Sequence, residues 1–307
     1  MVCGLPAAGG VLQRLETANL QDDPVRRRAM LTFTVVGAGY AGVELTAQMA
    51  RLTAHLLPLY PNLPSHDIHW LLVDVADAVM PELGRRLGES ALMLLRRRNV
   101  DVRLGVSVTA VTDTQVTLSD GSTLEGSVLI WCAGVTGNPL ITDLGLPTVK
   151  GRLAVDEFLQ VPGHPQVYAI GDAAAVPDLT KPLDKDGLRP VCPPTAQHAM
   201  RQATAVARNI RADLSRGAVK PYRHRDLGLV VDLGGPDAAA IPLGMHLRGR
   251  LAKLLALGYR LYTLPTMTRR IRVAVDWPLA GARPNDVSLG LVPGSAALII
   301  NAEDDQN

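Results

Sequence analysis

Along the chain, apolar runs of strand length alternate with stretches of helical spacing. Residues 32–36 (TFTVV) form a short apolar run rich in β-branched side chains, and residues 39–57 have helical spacing through Val43, Leu45, Met49 and Leu52. A Pro-rich loop at 58–64 separates this pair from a second buried strand at 68–73, a helix at 82–98 and a third strand at 100–104. The β-α-β-α-β order predicts a parallel sheet covered by helices. Residues 106–118 and 123–127, turning at Asp120 and Gly121, predict a small antiparallel insertion ahead of another buried strand at 128–132. Past Gly134 a linker rich in Gly and Pro leads to a short strand at 167–170, the pair Gly171 and Asp172, a polar loop and a helix from about 195 to 211. A domain boundary is expected near residue 147. No internal repeat is present, and no apolar stretch is long enough to cross a bilayer.

Composition narrows the picture. Hydrophobic residues fill 47% of the 307 positions and aromatic ones only 4%, so the core rests on Ala, Val and Leu, which suits closely packed α/β layers. The 31 basic and 29 acidic residues leave a formal charge of +2, too small to indicate nucleic acid, and no such partner is expected. Cys3, Cys132 and Cys192 form no close pair, which argues against electron relay through a dithiol and fits a reducing, cytoplasmic setting. The first ten residues lack the basic start and long apolar run of a secretory signal. Histidines such as His66, His164 and His224 show no ligand spacing, so no metal site is expected.

The sharpest local signal is GAGYAG, in which Gly37, Gly39 and Gly42 follow a buried strand and open a helix. In such a turn the first glycine permits the tight bend, the second lets backbone approach a pyrophosphate and the third lets helix and strand pack closely. The helix that begins there directs its unpaired N–H groups and positive dipole end at the phosphates. The bland alternative is a glycine turn used for packing alone. Asp74 ends the next strand, where an acidic side chain can accept hydrogen bonds from the adenosine ribose; the loop at 58–67 explains why it lies beyond the usual interval of about 20 residues. Val75 and Ala76 follow it, rather than arginine, which favours NADH over NADPH, with Arg85 and Arg86 as the nearest cations in the sequence.

These residues carry a resemblance. LTFTVVGAGYAGVEL, from Leu31, is similar to the NADH-binding segment of the flavin-dependent pyridine nucleotide oxidoreductases, and of type II NADH dehydrogenases in particular. LIWCAGV (129–135) resembles the strand closing that family's NADH domain, VYAIGDAA (167–174) its second flavin motif, and AQHAMRQ (196–202) its A-Q-x-A-x-x-Q segment. The resemblance runs from about residue 15 to about residue 280. It implies FAD and NADH as cofactors, hydride transfer from NADH to flavin and two-electron reduction of a membrane quinone. It further implies that Asp172 holds the ribityl chain, with Gly171 allowing close approach, and that Ala196 and Gln197 sit at a helix start beside the flavin ring. Gln197 and Gln202 then line the quinone approach, Gly134 lets nicotinamide and flavin meet, and Glu44 lies near their meeting point. The plain alternatives are a turn at Gly171, a solvated Gln202 and a Glu44 favoured by the helix dipole. His198 lies inside the motif, but its identity looks incidental.

Between 245 and 264 Leu247, Leu251, Leu254, Leu255, Leu261 and Tyr262 recur at helical spacing, with Arg250, Lys253 and Arg260 largely on another face and Arg269, Arg270 and Arg272 following. A basic amphipathic helix of this kind suits the plane of an anionic membrane surface, or the protein's own core or a dimer interface. Val275, Asp276 and Trp277 resemble the family's closing V/L-D-W segment. The expected fold class is α/β: a Rossmann-like NADH-binding domain plus an incomplete FAD-binding domain and C-terminal amphipathic helices, divided as 1–28 (connecting segment), 29–146, 147–240 and 241–307. A full-length family member opens with a separate glycine turn for the FAD pyrophosphate. Residues 1–23 match at best a connecting segment, and neither Gly4 nor Gly9 and Gly10 follow a buried strand. Expected partners are thus a quinone, the cytoplasmic face of an anionic membrane, and either a second copy of the chain or a separate N-terminal FAD-domain polypeptide. The competing expectation is a non-catalytic remnant that binds NADH or a partner only.

Overall fold

The computed structural model describes residues 5–134, 137–224 and 228–282. Two compact units emerge, one made of residues up to Ala133 together with those from Gly228 on, the other of Gly134–Leu227. The first opens with α1 (Leu5–Asn19), which contains Gly9 and Gly10, and α2 (Pro24–Met30). Asp23 caps α2 by accepting from the N–H groups of Val25 and Arg26. Buried Asp67 then holds Arg27 at 2.8 Å and Arg28 at 3.3 Å.

Next come β1 (Thr32–Val36), α3 (Tyr40–Leu56), β2 (His69–Asp74), α4 (Arg85–Arg97) and β3 (Val100–Leu104). The helix expected at 82–98 starts at Arg85 because Pro81–Leu83 forms a 3-10 turn and Gly84, at φ +74°, stands before it. The insertion is a three-stranded antiparallel sheet of β4 (Val108–Val111), β5 (Gln115–Leu118) and β6 (Thr123–Glu125), and β7 (Val128–Trp131) closes the parallel sheet in the order β3-β2-β1-β7. Side-chain alternation assigns the two faces. Phe33, Val35, Trp70 and Leu72 join the core with α3 and α4, while Val36, Leu71 and Val73 pack under Val116 and Leu118 of the insertion. Phe33 stacks on Trp70 with ring centroids 4.6 Å apart, and the Trp70 indole donates to Thr53 Oγ1 at 3.1 Å.

The second unit holds α5 (Pro139–Asp143), β8 (Thr148–Val149), β9 (Arg152–Ala154), β10 (Gln160–Val161), β11 (His164–Tyr168), β12 (Ala174–Ala175) and α6 (Ala196–Leu214). Its strands form the sheet β12-β9-β8 and the β10-β11 hairpin. Leu153, Leu159, Val161, Val176, Cys192 and Tyr222 make its core. The strand expected at 167–170 ends at Tyr168, and the chain then turns into a 3-10 segment at Gly171–Ala173.

The chain returns to the first unit with β13 (Val230–Asp232), β14 (Ala238–Ala240), β15 (Leu247–Arg248), α7 (Gly249–Thr263) and α8 (Met267–Ala282). Ala252 of α7 packs over Ala238 and Ala240, and Val231, Leu233 and Ala239 enter the same core as Phe33 and Trp70. This burial differs from the division expected from the sequence: the second unit begins at Gly134 rather than 147, and the segments 5–28 and 228–282 belong with the unit that holds the parallel sheet, since Val11, Leu15 and Val231 share its core. Residues 283–307 of the expected C-terminal region, with Cys3, Gly4 and Val135, lie outside the described residues.

Candidate functional site: a glycine loop and the turn before α6

The three glycines of the first loop differ in what surrounds them. Gly37 adopts φ +107°, and a Cβ there would lie 2.8 Å from Ala133 N and 2.9 Å from Cys132 C, so the end of β7 excludes any side chain. A Cβ on Gly42 would fall 1.8 Å from the Gly37 carbonyl oxygen, so the start of α3 packs against the loop after β1 with no room for a side chain at Gly42. Gly39 has nothing within 4 Å of its Cβ position and an ordinary φ of −72°. It is also the N-cap of α3, with no side chain capping the helix, whereas Asp23 caps α2 and Thr195 caps α6. An open, uncapped helix N-terminus is a cradle for an anion.

The loop is braced from β2. Asp74, at that strand's end, accepts from Ala38 N and, at 2.8 Å, from Ala76 N. The Ala38 carbonyl accepts from Met80 N at 2.9 Å. Each Asp74 oxygen retains a further acceptor site. Arg85, one of the two cations in question for cofactor preference, pairs with Glu89 at 2.8 Å along α4.

Glu44, in the second turn of α3, is half-buried, and its Oε1 accepts from Asp232 N at 2.5 Å. Burial pushes its carboxyl above the ordinary value, against the backbone hydrogen bond and nearby Arg260. Asp232, itself buried, receives Lys253 Nζ at Oδ1 and Arg260 Nη1 at Oδ2, both at 2.7 Å. Burial acts to raise the Asp232 carboxyl, but the bonds from Lys253 and Gly234 N–H outweigh it and hold it below 3.8. The leucines and these two cations lie on different faces of the C-terminal helix, as the spacing predicts, but the cations are engaged within the protein. Lys253 and Arg260 turn toward the protein because a buried carboxylate requires counter-charges, while Leu251, Leu254 and Tyr262 are about two-thirds exposed or more, at 67%, 66% and 72%.

In the second unit Gly171 adopts φ +65°, with the Ala199 methyl 3.3 Å from where its Cβ would be. Its N–H donates to Gln202 Oε1 at 2.7 Å. Gln202 is only 1% exposed, so its amide oxygen is committed to the Gly171–Asp172 turn and not to an open approach path. This corrects its expected place on the quinone route; a buried N–H demands a partner, and Gln202 is it. Arg152 clamps the same turn, donating at 3.2 Å to the carbonyls of Asp172, Gly171 and Cys192. Asp172 is exposed, Thr195 Oγ1 accepts from His198 N, and Ala196 and Gln197 form the first turn of α6, the first exposed and the second half-buried. Gly134, at φ +72°, has nothing within 4 Å of its Cβ position. His198 is not incidental: it is buried, its Nδ1 meets the Tyr222 hydroxyl at 3.1 Å, and it stacks on His224 with centroids 3.9 Å apart.

The structure thus groups Gly37, Gly39, Gly42, Asp74 and Glu44 in the first unit, and Gly171, Asp172, Ala196, Gln197 and Gln202 in the second. The model of the pyridine nucleotide-disulphide oxidoreductases matches residues 4–203. The chain belongs to that family. Among its relatives, the type II NADH:quinone oxidoreductase Ndh of Mycobacterium tuberculosis is 32% identical over 89% of this chain. NdhA of the same organism, also a type II NADH:quinone oxidoreductase, is 29% identical over 90%. The chain spans 59% of the length of each of these two curated relatives. NDH2 from Plasmodium falciparum, solved in complex with NADH, shares the fold with a TM-score of 0.76 at 17% identity, covering 90% of this chain and 71% of that one.

Three residues of these sites escaped sequence reasoning. Arg98 donates to the carbonyls of Ala47, Leu233 and Gly234 and to Asp237, tying α3 and α4 to the β13-β14 turn. It closes a run of three arginines and nothing in the run marks it out. Arg152 and Asp232 are likewise ordinary in sequence, and only the distant partners reveal them.

Proposed function

We propose that the chain is the NADH-binding and C-terminal flavin-binding part of a peripheral membrane NADH:quinone oxidoreductase of the type II class. The observation that carries this reading is the open, uncapped position of Gly39 between two glycines that packing closes. Phosphate oxygens of NADH are held by the first-turn N–H groups of α3, and the adenosine ribose by the free acceptor sites of Asp74. Val75 and Ala76 after Asp74, with Arg85 paired to Glu89, support NADH over NADPH. FAD, when bound, supplies the acceptor for the hydride of NADH and two electrons for the quinone. Asp172 holds its ribityl hydroxyls, and the N–H groups of Ala196 and Gln197 offer the positive end of α6 to the ring. Gln197 faces the quinone, Gln202 positions the Gly171–Asp172 turn, Gly134 leaves room for the nicotinamide, and Glu44 steadies that region from α3.

The membrane side of the proposal rests on α7 and α8. Leu251, Leu254, Leu255 and Tyr262 are exposed on α7, as are Met267, Ile271, Val275 and Leu279 at four-residue spacing on α8. No described helix is long and apolar enough to cross a membrane. These stripes therefore lie in the interface plane, on the cytoplasmic face where NADH is available. Flotation with phosphatidylglycerol vesicles tests this: Leu251→Asp with Ile271→Asp abolishes binding, and retention would refute it.

A narrower reading has its own support. Because the chain spans 59% of those relatives, a body that binds NADH without turnover accounts for the glycine loop equally well. Purified protein supplied with FAD separates the two: a bound flavin spectrum and NADH-dependent reduction of a short-chain ubiquinone favour the enzyme, and NADH binding without either favours the narrower reading.

A further inference from the structure

Helix α6 from Arg201 onward and the segment at 217–223 enclose a cavity of about 860 Å³ lined by Arg201, Arg208, Arg211, Lys220 and Arg223. That volume lies within the range of roughly 300–1,000 Å³ typical of small-molecule sites. No carboxylate stands among its described lining residues, and Ala205 and the Tyr222 ring supply apolar wall. Residues 201–223 carry six cations against Asp213 alone, in a chain whose formal charge is +2. The negative end of α6 explains Arg211. It does not explain Arg201, nearer the start of the helix, or Lys220 and Arg223 on the opposite wall. Among the described residues none of Arg208, Arg211, Lys220 and Arg223 pairs with a carboxylate.

The shape of the groove is held rather than loose. Asn209, 3% exposed, donates at 3.0 Å to the carbonyls of Phe158 and Lys220 and accepts from Lys220 N at 3.0 Å. One buried amide thereby fixes the spacing between the helix and the returning segment. The guanidinium groups of Arg208, Arg211 and Arg223, which pair with no acid among the described residues, match the geometry and charge of phosphate oxygens.

We infer that this groove binds a phosphate-bearing anion, either a free phosphate ester or the headgroup of an anionic phospholipid. None of its lining residues belongs to the glycine loop: they all lie in the second unit, and the loop lies in the first. The test is titration of the whole chain with inorganic pyrophosphate at low salt, by calorimetry, beside flotation with phosphatidylglycerol and phosphatidylcholine vesicles. Because pyrophosphate can also enter the glycine loop, each measurement is repeated in Gly39→Trp, where a Cβ meets nothing within 4 Å, in Arg208→Gln with Lys220→Gln, and in the single variant Arg223→Glu, the last three positions being exposed. Saturable pyrophosphate binding that survives Gly39→Trp and weakens about tenfold or more in the groove variants supports the free ester. Vesicle binding selective for phosphatidylglycerol and weakened by the same variants, without pyrophosphate binding, supports the headgroup. Binding to neither probe, or binding indifferent to Arg208, Lys220 and Arg223, overturns the inference.

Discussion

Gly39 and Gly42 make opposite predictions under the same substitution. At Gly42 an added methyl carbon meets the Gly37 carbonyl oxygen at 1.8 Å, an overlap with backbone that cannot rotate away, so the start of α3 must shift off the loop at Gly37. Overpacking of this kind costs about 1–3 kcal/mol, and a backbone clash lies at the upper end. For a chain of this size each kcal/mol lowers Tm by roughly 2–4 °C, so Gly42→Ala should melt about 6–12 °C lower. At Gly39 the methyl meets nothing within 4 Å and φ is already −72°. Reduced freedom of the unfolded chain adds about 0.4–1 kcal/mol, and the poorer N-cap standing of alanine removes a similar amount. Gly39→Ala should therefore melt like the parent protein. Its methyl nonetheless occupies the space that a pyrophosphate needs, and displacing one charge-assisted hydrogen bond of about 1.5–3 kcal/mol weakens NADH roughly 10- to 150-fold. Calorimetric titration with NADH beside thermal melts reads both effects. Unchanged NADH affinity in Gly39→Ala would falsify the phosphate assignment, and an unchanged melt in Gly42→Ala would refute the close packing.

Asp232→Ala strands Lys253 and loosens Arg260. Breaking a buried pair costs about 3–5 kcal/mol, less here because Arg260 is half exposed, and hydrogen exchange across 249–263 should rise; unaltered protection there counts against the clamp. The Asp232 carboxyl is held below 3.8 in the folded state, so its contribution is fully present above that value and fades as pH falls through the lowered one; acid titration of Asp232→Asn should lack that part of the loss. Gln202→Leu leaves the buried Gly171 N–H without an acceptor at a cost of about 1–3 kcal/mol, visible as faster exchange of that amide, and slow exchange would show another acceptor. Burial pushes the Cys192 thiol up to about 12, so iodoacetamide at neutral pH should spare it until denaturant is added, and labelling of the folded protein would contradict its burial.

The parallel sheet was legible because its strands are short runs of β-forming residues, continuous in β1 and alternating in β3, flanked by punctuation: residues 32–36 and 100–104 match β1 and β3 to the residue. The glycine loop was legible for the same local reason, since its three constraints fall within six consecutive positions. Contacts between distant segments were not. Asp232 touches Glu44, Lys253 and Arg260 across 188, 21 and 28 positions, and no window of sequence contains that arrangement. Gln202 was placed by motif on an open path, yet the need to satisfy one backbone N–H 31 positions away decides where its amide goes.

The C-terminal helix shows what periodicity alone leaves open. Spacing separates leucines from cations but does not decide whether the leucines face a membrane surface, the protein's own core or a dimer interface. In α7 the inward line is Ala252 and Ala256, small enough to bring the helix close to β14 and its own alanines. That close approach delivers Lys253 and Arg260 to Asp232 and leaves Leu251, Leu254 and Tyr262 outside. Two cations that appeared available to an anionic surface are therefore already neutralised. If the protein docks on an anionic membrane as proposed, the attraction falls to the exposed Arg248, Arg250, Arg269 and Arg272, at about 1 kcal/mol each. Asp232 both secures the helix and decides which of its faces the protein offers.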